Sequence, residues 1–210
     1  TDHYGIPVPQ ANLDFAIPFL DEDIPLYVDP FLLWRSPSQQ DQSLHVSLLN
    51  AFNQLGYLCA CGQIAQAVTT LIAASECDEV GLGSSANRRG KRIGEAKARE
   101  ILDLFKLIPQ YSRAGFRHFE EIQFFVDGIS KDRISDFTCS FLKSFLIDFT
   151  IQQCEQLGIP TSPSDIPRLY DSRKNVFEEA RGIPLPTNPT NGSPILFVPK
   201  RWLRFVPWIS

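Results

Sequence analysis

Asp136-Phe137-Thr138-Cys139-Ser140-Phe141-Leu142-Lys143-Ser144-Phe145-Leu146-Ile147-Asp148-Phe149 decides the fold class. Phe137, Phe141, Leu142, Phe145, Leu146 and Phe149 recur at helical spacing and make one wide apolar stripe. The stripe predicts a central helix over 136–157. Ser135 or Asp136 is its expected N-cap and Gly158 its expected C-terminal stop.

Upstream stripes extend the pattern. Leu44, Leu48, Leu49, Phe52 and Leu55 predict a helix over 42–58, with Gly56 near its end. Ile64, Ala67, Val68, Leu71 and Ile72 predict a second over 63–77, joined through Gly62 as a helical hairpin. Ala98, Ile101, Leu102, Phe105 and Ile108 line a third over 95–108, where Glu95 precedes Arg99 by four residues and Pro109 is the stop. Residues 119–129 read as the end of a helix turning into a loop.

The flanks differ in character. Residues 1–40 are an aromatic, Pro-rich arm. Pro18, Pro25 and Pro30 cut its apolar runs into pieces too short for helices, which predicts extended edge segments laid over the core. Residues 159–210 are punctuated by prolines and read as loop, with a short helix at 172–181 and a short strand at 195–198 between Pro194 and Pro199. The expectation is a single globular domain over 1–210 of the α+β class. It has a helix-dominated core over 42–157, a few short Pro-bounded strands and a Pro-rich C-terminal section. The apolar run Arg204-Phe205-Val206-Pro207-Trp208-Ile209 is compatible with this being the N-terminal part of a longer chain.

Composition narrows the class. The 210 residues carry a net charge of −4, which argues against a surface coated in basic residues for non-specific nucleic-acid binding. No apolar run approaches the roughly 18–20 residues of a membrane span. Cys59, Cys61, Cys77, Cys139 and Cys154 are odd in number and follow no regular framework, so a reduced cytoplasmic setting is expected for a soluble, intracellular protein. His3, His45 and His118 are isolated, and Cys59-Ala60-Cys61 lacks a second pair to complete a zinc site.

Two charged loops are the candidates for chemistry. Glu76, Asp78 and Glu79 stand before a turn containing Gly81, Gly83 and Gly90, and Arg88, Arg89, Lys91 and Arg92 follow closely. Such a loop cradles phosphate through backbone N–H groups and basic side chains, and the next helix offers its N-terminus to the same anion. Its acids suit Mg²⁺ or Mn²⁺, which favour carboxylate oxygens. The glycine spacing matches neither the dinucleotide-binding fingerprint nor the Walker A loop. The second loop, 127–136, holds Asp127, Asp132 and Asp136 with Lys131 and Arg133. Arg133 there suits bidentate phosphate binding. Plain surface charge and helix capping are the competing accounts.

Lys200 follows the apolar segment 195–198, and a lysine at the end of such a strand resembles the lysine of the PD-(D/E)xK nucleases, which in that family polarises the scissile phosphate. The Glu-x-Lys spacing of the PD-(D/E)xK nucleases is not met, because Val198 stands two residues earlier. Asp29 before Pro30 is an outlying acid.

The first functional expectation is therefore a divalent-metal-dependent phosphodiesterase or nuclease acting on nucleic acid or a nucleotide. Glu76, Glu79, Asp132 and Asp136 would hold Mg²⁺ or Mn²⁺. Glu79, Asp132, Asp136 and Lys200 would be catalytic, and Arg88, Arg89, Lys91, Arg92 and Arg133 would bind phosphate. The second is a non-enzymatic protein–protein interaction domain of a larger intracellular assembly, with a protein partner bound through aromatic segments that include Trp34, Trp202 and Trp208. The two separate on whether loops 76–94 and 127–136 face each other.

Overall fold

The computed structural model describes residues 9–83 and 92–205. Helix accounts for about 52% and short strands for 18%, so this is a helix-dominated α+β fold.

Three of the expected helices are present with adjusted ends. α2 spans Gln39–Ala60, α3 Ile64–Ala74 and α4 Glu95–Leu107. α2 runs through Gly56 because Phe105 of α4 packs there, where a Cβ would fall inside the ring. Leu48, Phe52 and Leu55 of α2, Leu71 of α3 and Ile101 and Phe105 of α4 are fully buried against one another. Burying each such side chain contributes about 1.5–3 kcal/mol. Pro109 ends α4 as expected and then opens α5, Pro109–Ala114, from the first helical position. Residues 119–124 form a 3-10 helix.

The central stripe is two helices, not one. α6 spans Lys131–Phe141 and α7 Lys143–Leu157, with Leu142 (φ −98°, ψ 14°) as the break. The true N-cap of α6 is Ser130, whose side chain accepts the Arg133 N–H. The expected caps lie inside the helix. Ser135 Oγ accepts Val28 N at 2.9 Å and Asp136 pairs with Arg133. Gly158 closes α7 in the left-handed region, as its position implied.

Both flanks carry structure that the prolines hid. α1, Pro30–Arg35, forms because Pro30 takes the first helical position and Asp29 caps Phe31 N at 3.0 Å. On either side of the arm's other prolines, β1 (Phe15–Ala16) pairs antiparallel with β5 (Val198–Pro199), and β2 (Leu26–Val28) with β6 (Leu203–Phe205). The strand expected over 195–198 is therefore confined to Val198–Pro199. Ile195 and Leu196 still bond backbone to Pro186 and Glu79.

The helix expected at 172–181 and the surrounding loop are overturned. Residues 162–185 form a long antiparallel hairpin, β3 (Ser162–Asp171) and β4 (Val176–Leu185). Asp171 Oδ1 accepts the N–H groups of Arg173 and Lys174 in the turn, and Asn175 takes the left-handed conformation at φ 56°. Pro163 sits opposite Pro184 in a ribbon of only two strands, where a missing N–H costs nothing if it points outward.

A smaller core joins the flanks to α7. Phe15 stacks on Phe197 at 4.1 Å between ring centroids and meets Phe149 edge-on. Among the described residues, no helix is long and apolar enough to cross a membrane. All five cysteines are free thiols.

Candidate functional site

The two charged loops meet. After α3 ends, a 3-10 turn over Asp78–Val80 presents Glu76, Cys77, Asp78 and Glu79 to the first two turns of α6. Arg133 Nη1 donates to Ser75 O and to Asp136 Oδ2, and Asp136 also accepts the Cys77 N–H. Ser140 Oγ donates to Glu76 O at 3.2 Å. Glycine is required at position 83, where φ is +134° and a Cβ would lie 2.6 Å from Asp132 Oδ1. That close approach seats the 81–83 turn against Asp132.

Lys143, at the start of α7, lies beneath this junction. It is fully buried and donates to both oxygens of Glu79 at 2.9 Å, while Cys77 Sγ donates to Glu79 Oε2 at 3.5 Å. From β3, Arg168 reaches Asp78 at 3.4 Å and Glu76 at 4.0 Å. Arg92 closes the rim on Glu76 at 2.9 Å. The Nε of Arg168 is buried and has no acceptor among the described residues.

The electrostatics are strained in one direction. Burial, then the nearby Glu76, pushes the Asp78 carboxyl up to about 6. Burial, then the charges of Asp132 and Asp78, holds the Asp136 carboxyl well above the usual range against the pull of Arg133. Burial raises Asp132 as well. Burial works to lower the Lys143 ammonium, and the Glu79 carboxylate paired with it more than reverses that, so it stays charged. Cys77 and Cys139 are raised by complete burial and remain thiols. Groups whose protonation is displaced this far mark a candidate functional site.

The residues named from the sequence divide into three sets. Glu76, Glu79, Asp132, Asp136, Arg92 and Arg133 come together here. Glu79 differs from its expected role as a ligand, because Lys143 occupies both of its oxygens. Lys200 is placed elsewhere, on the 3-10 turn after β5, with its N–H on Asp14 O at 2.8 Å. Arg88, Arg89 and Lys91 lie outside the described residues. Among the described residues, no three His, Cys, Asp or Glu side chains converge on a point where they would hold a metal ion.

Lys143 and Arg168 were missed. Lys143 left a readable signal: it is the one cation inside the apolar stripe, three residues before Leu146. Arg168 left none, because its strand read as loop.

No curated protein and no solved structure matches the chain. The family described as "Domain of unknown function (DUF8370)" matches residues 5–210, and the chain belongs to it.

Proposed function

We propose that the charged cluster hydrolyses phosphodiester bonds in a nucleic acid or nucleotide with the help of Mg²⁺ or Mn²⁺. One observation carries this reading. Carboxylates that resist ionisation stand beside a guanidinium whose Nε has no acceptor among the described residues. Arg133 already faces Asp136 and Arg168 faces Asp78, so a metal ion would add positive charge beside the crowded acids, and a phosphate on it would offer the guanidinium groups a further acceptor. Mg²⁺ commonly binds through one or two carboxylates, with water and substrate phosphate completing its shell, so a site without three converging ligands fits that mode.

In this reading Asp132 and Asp136 hold the cation. Asp78, titrating near 6, takes a proton from the attacking water at neutral pH. Arg133 and Arg168 stabilise charge on the phosphoryl oxygens. Glu76 aligns Arg92 and Arg168, and Glu79 with Lys143 anchors the turn. Lys200 has no part in it.

The test is Mn²⁺-dependent cleavage of labelled single- and double-stranded oligonucleotides and of a bis-aryl phosphate. Asp132→Asn and Asp136→Asn should each lower the rate by about 100-fold or more. Activity unchanged in both variants, or no metal-stimulated cleavage by the wild type, would overturn the reading.

A second reading, an interaction domain, is favoured by exposed aromatics: Phe124 is 83% exposed and Phe205 81%, with Phe19 and Trp34 near half. Trp202, expected among the contact residues, is buried at 1% and belongs to the core. Trp208 lies outside the described residues. Concentration-dependent self-association that Phe124→Ser and Phe205→Ser abolish would support this reading; a monomer at every concentration would count against it.

A further inference from the structure

A cleft of about 310 Å³ opens on the other side of α6 from the charged cluster. Lys131 and Ile134 of α6 line it, whereas Asp132, Arg133 and Asp136 of the same helix turn to the cluster. Tyr27, Asp29, Phe31, Glu120 and Arg204 complete the walls that matter here.

The charges in this cleft are unequally matched. Asp29 and Arg204 satisfy each other, with Arg204 Nε 2.5 Å from Asp29 Oδ2. Glu120 makes no ion pair among the described residues. Both of its carboxylate oxygens are buried, and among the described residues neither has a hydrogen-bond partner other than its own backbone N–H. Burial, with Asp29 nearby, holds its carboxyl above the usual range. Lys131, across the cleft, makes no ion pair among the described residues, and its Nζ rests 5.4 Å from the centroid of the Tyr27 ring. One unmatched acid and one unmatched base therefore line the same cavity without reaching each other. The aromatic rings of Tyr27 and Phe31 lie in the same wall.

We propose that this cleft binds a small zwitterion, an α-amino acid with an apolar or aromatic side chain. Its ammonium group satisfies Glu120, its carboxylate satisfies Lys131, and its side chain packs on Tyr27 and Phe31. A buried carboxylate without a partner is costly, and a ligand ammonium removes that cost. A ligand of one charge would leave the opposite wall unmatched. The volume is at the lower end of small-molecule pockets, which suits a single amino acid. Because the Glu120 oxygens are shut from water, binding requires its side chain to rotate towards the cleft. The inference is independent of any phosphodiester chemistry.

The experiment is isothermal titration of the purified protein with the common L-amino acids, followed by the decarboxylated and deaminated analogues of the tightest binder. Each single-charge analogue should bind about tenfold or more weakly. Glu120→Gln should weaken the amino acid and the amine but not the acid analogue, and Lys131→Met should do the reverse. Circular-dichroism melts check that both variants fold. If Glu120→Gln does not, the exposed Lys131→Met decides alone. No binding up to about 10 mM, equal binding of a single-charge analogue, or folded variants that bind like the wild type would each overturn the proposal.

Discussion

The charged cluster and the β3–β4 hairpin draw on the same residue types and come out differently. On the hairpin, Lys174 meets Glu178 and Arg181 meets Glu179, both at 2.7 Å. These side chains are 46–75% exposed. In the cluster, Lys143 and Glu79 meet at 2.9 Å with side-chain exposures of 0% and 7%. Short distances are common to both. Water screens the first pairs, and their geometry contributes little. The second pair has lost its water, so it is costly to build and costlier still to break. Carboxyl protonation moves in opposite directions in the two regions: upward at Asp78, Asp132 and Asp136 of the cluster, where desolvation dominates, and downward at Asp171 of the hairpin turn, which accepts the Arg173 and Lys174 N–H groups.

The contrast breaks most directly at Lys143. Lys143→Met leaves the Glu79 carboxylate buried with only the weak Cys77 thiol as a partner, and should cost about 3–5 kcal/mol in a denaturant titration. Adding Glu79→Gln should restore most of that loss, and a single-variant cost under about 1 kcal/mol would place this pair with the surface pairs. Gly83→Ala comes next. A side chain at that φ, pressed on Asp132, should cost about 1–3 kcal/mol by thermal melting and weaken any metal binding at Asp132.

Asp78 sharpens the comparison through pH. Its folded-state value of about 6 lies above the ordinary 3.8. The folded chain holds that proton more tightly, so the stability it contributes is complete at low pH and is lost as pH rises through about 6. Asp78→Asn should therefore melt above the wild type at pH 7.5, by about 1 kcal/mol once solvent screening is allowed for, and the gap should shrink at pH 4.5. The smallest effect belongs to the hairpin. Glu178→Ala should shift the melting midpoint by no more than about 1 °C.

Much of the helical core was legible because burial imposes a period. Leu48, Phe52 and Leu55 mark α2, and Ala98, Ile101, Leu102 and Phe105 mark α4. What escaped depends on contacts the period does not record. The break at Leu142 is invisible in a stripe that continues on both sides. The hairpin shows little alternation because, of its residues, only Ser164, Ile166 and Leu185 are buried. Proline misled at Pro30, which opens α1, and told half the story at Pro109, which stops α4 as expected and also opens α5. The site was legible as two charged loops, with Glu76, Glu79, Asp132, Asp136 and Arg133 all named. That the loops touch is a tertiary fact, set by Arg133 on Ser75 and Gly83 on Asp132. The buried pairing of Lys143 with Glu79 joins residues 64 apart, beyond any local pattern.

The antiparallel pairings of β1 with β5 and β2 with β6 tie Phe15 to Pro199 and Leu26 to Phe205. Synthesis delivers the first member of each pair long before the second. At the usual pace of a ribosome, the interval between residues 28 and 198 is about 10–30 s. Throughout it, the helices collapse around a core whose N-terminal strands have nothing to pair with. Their open edges are the surface most apt to join a neighbouring nascent chain. Fidelity of folding in the cell therefore rests on β5 and β6, which act as the closing stitches of a seam that β1 and β2 begin.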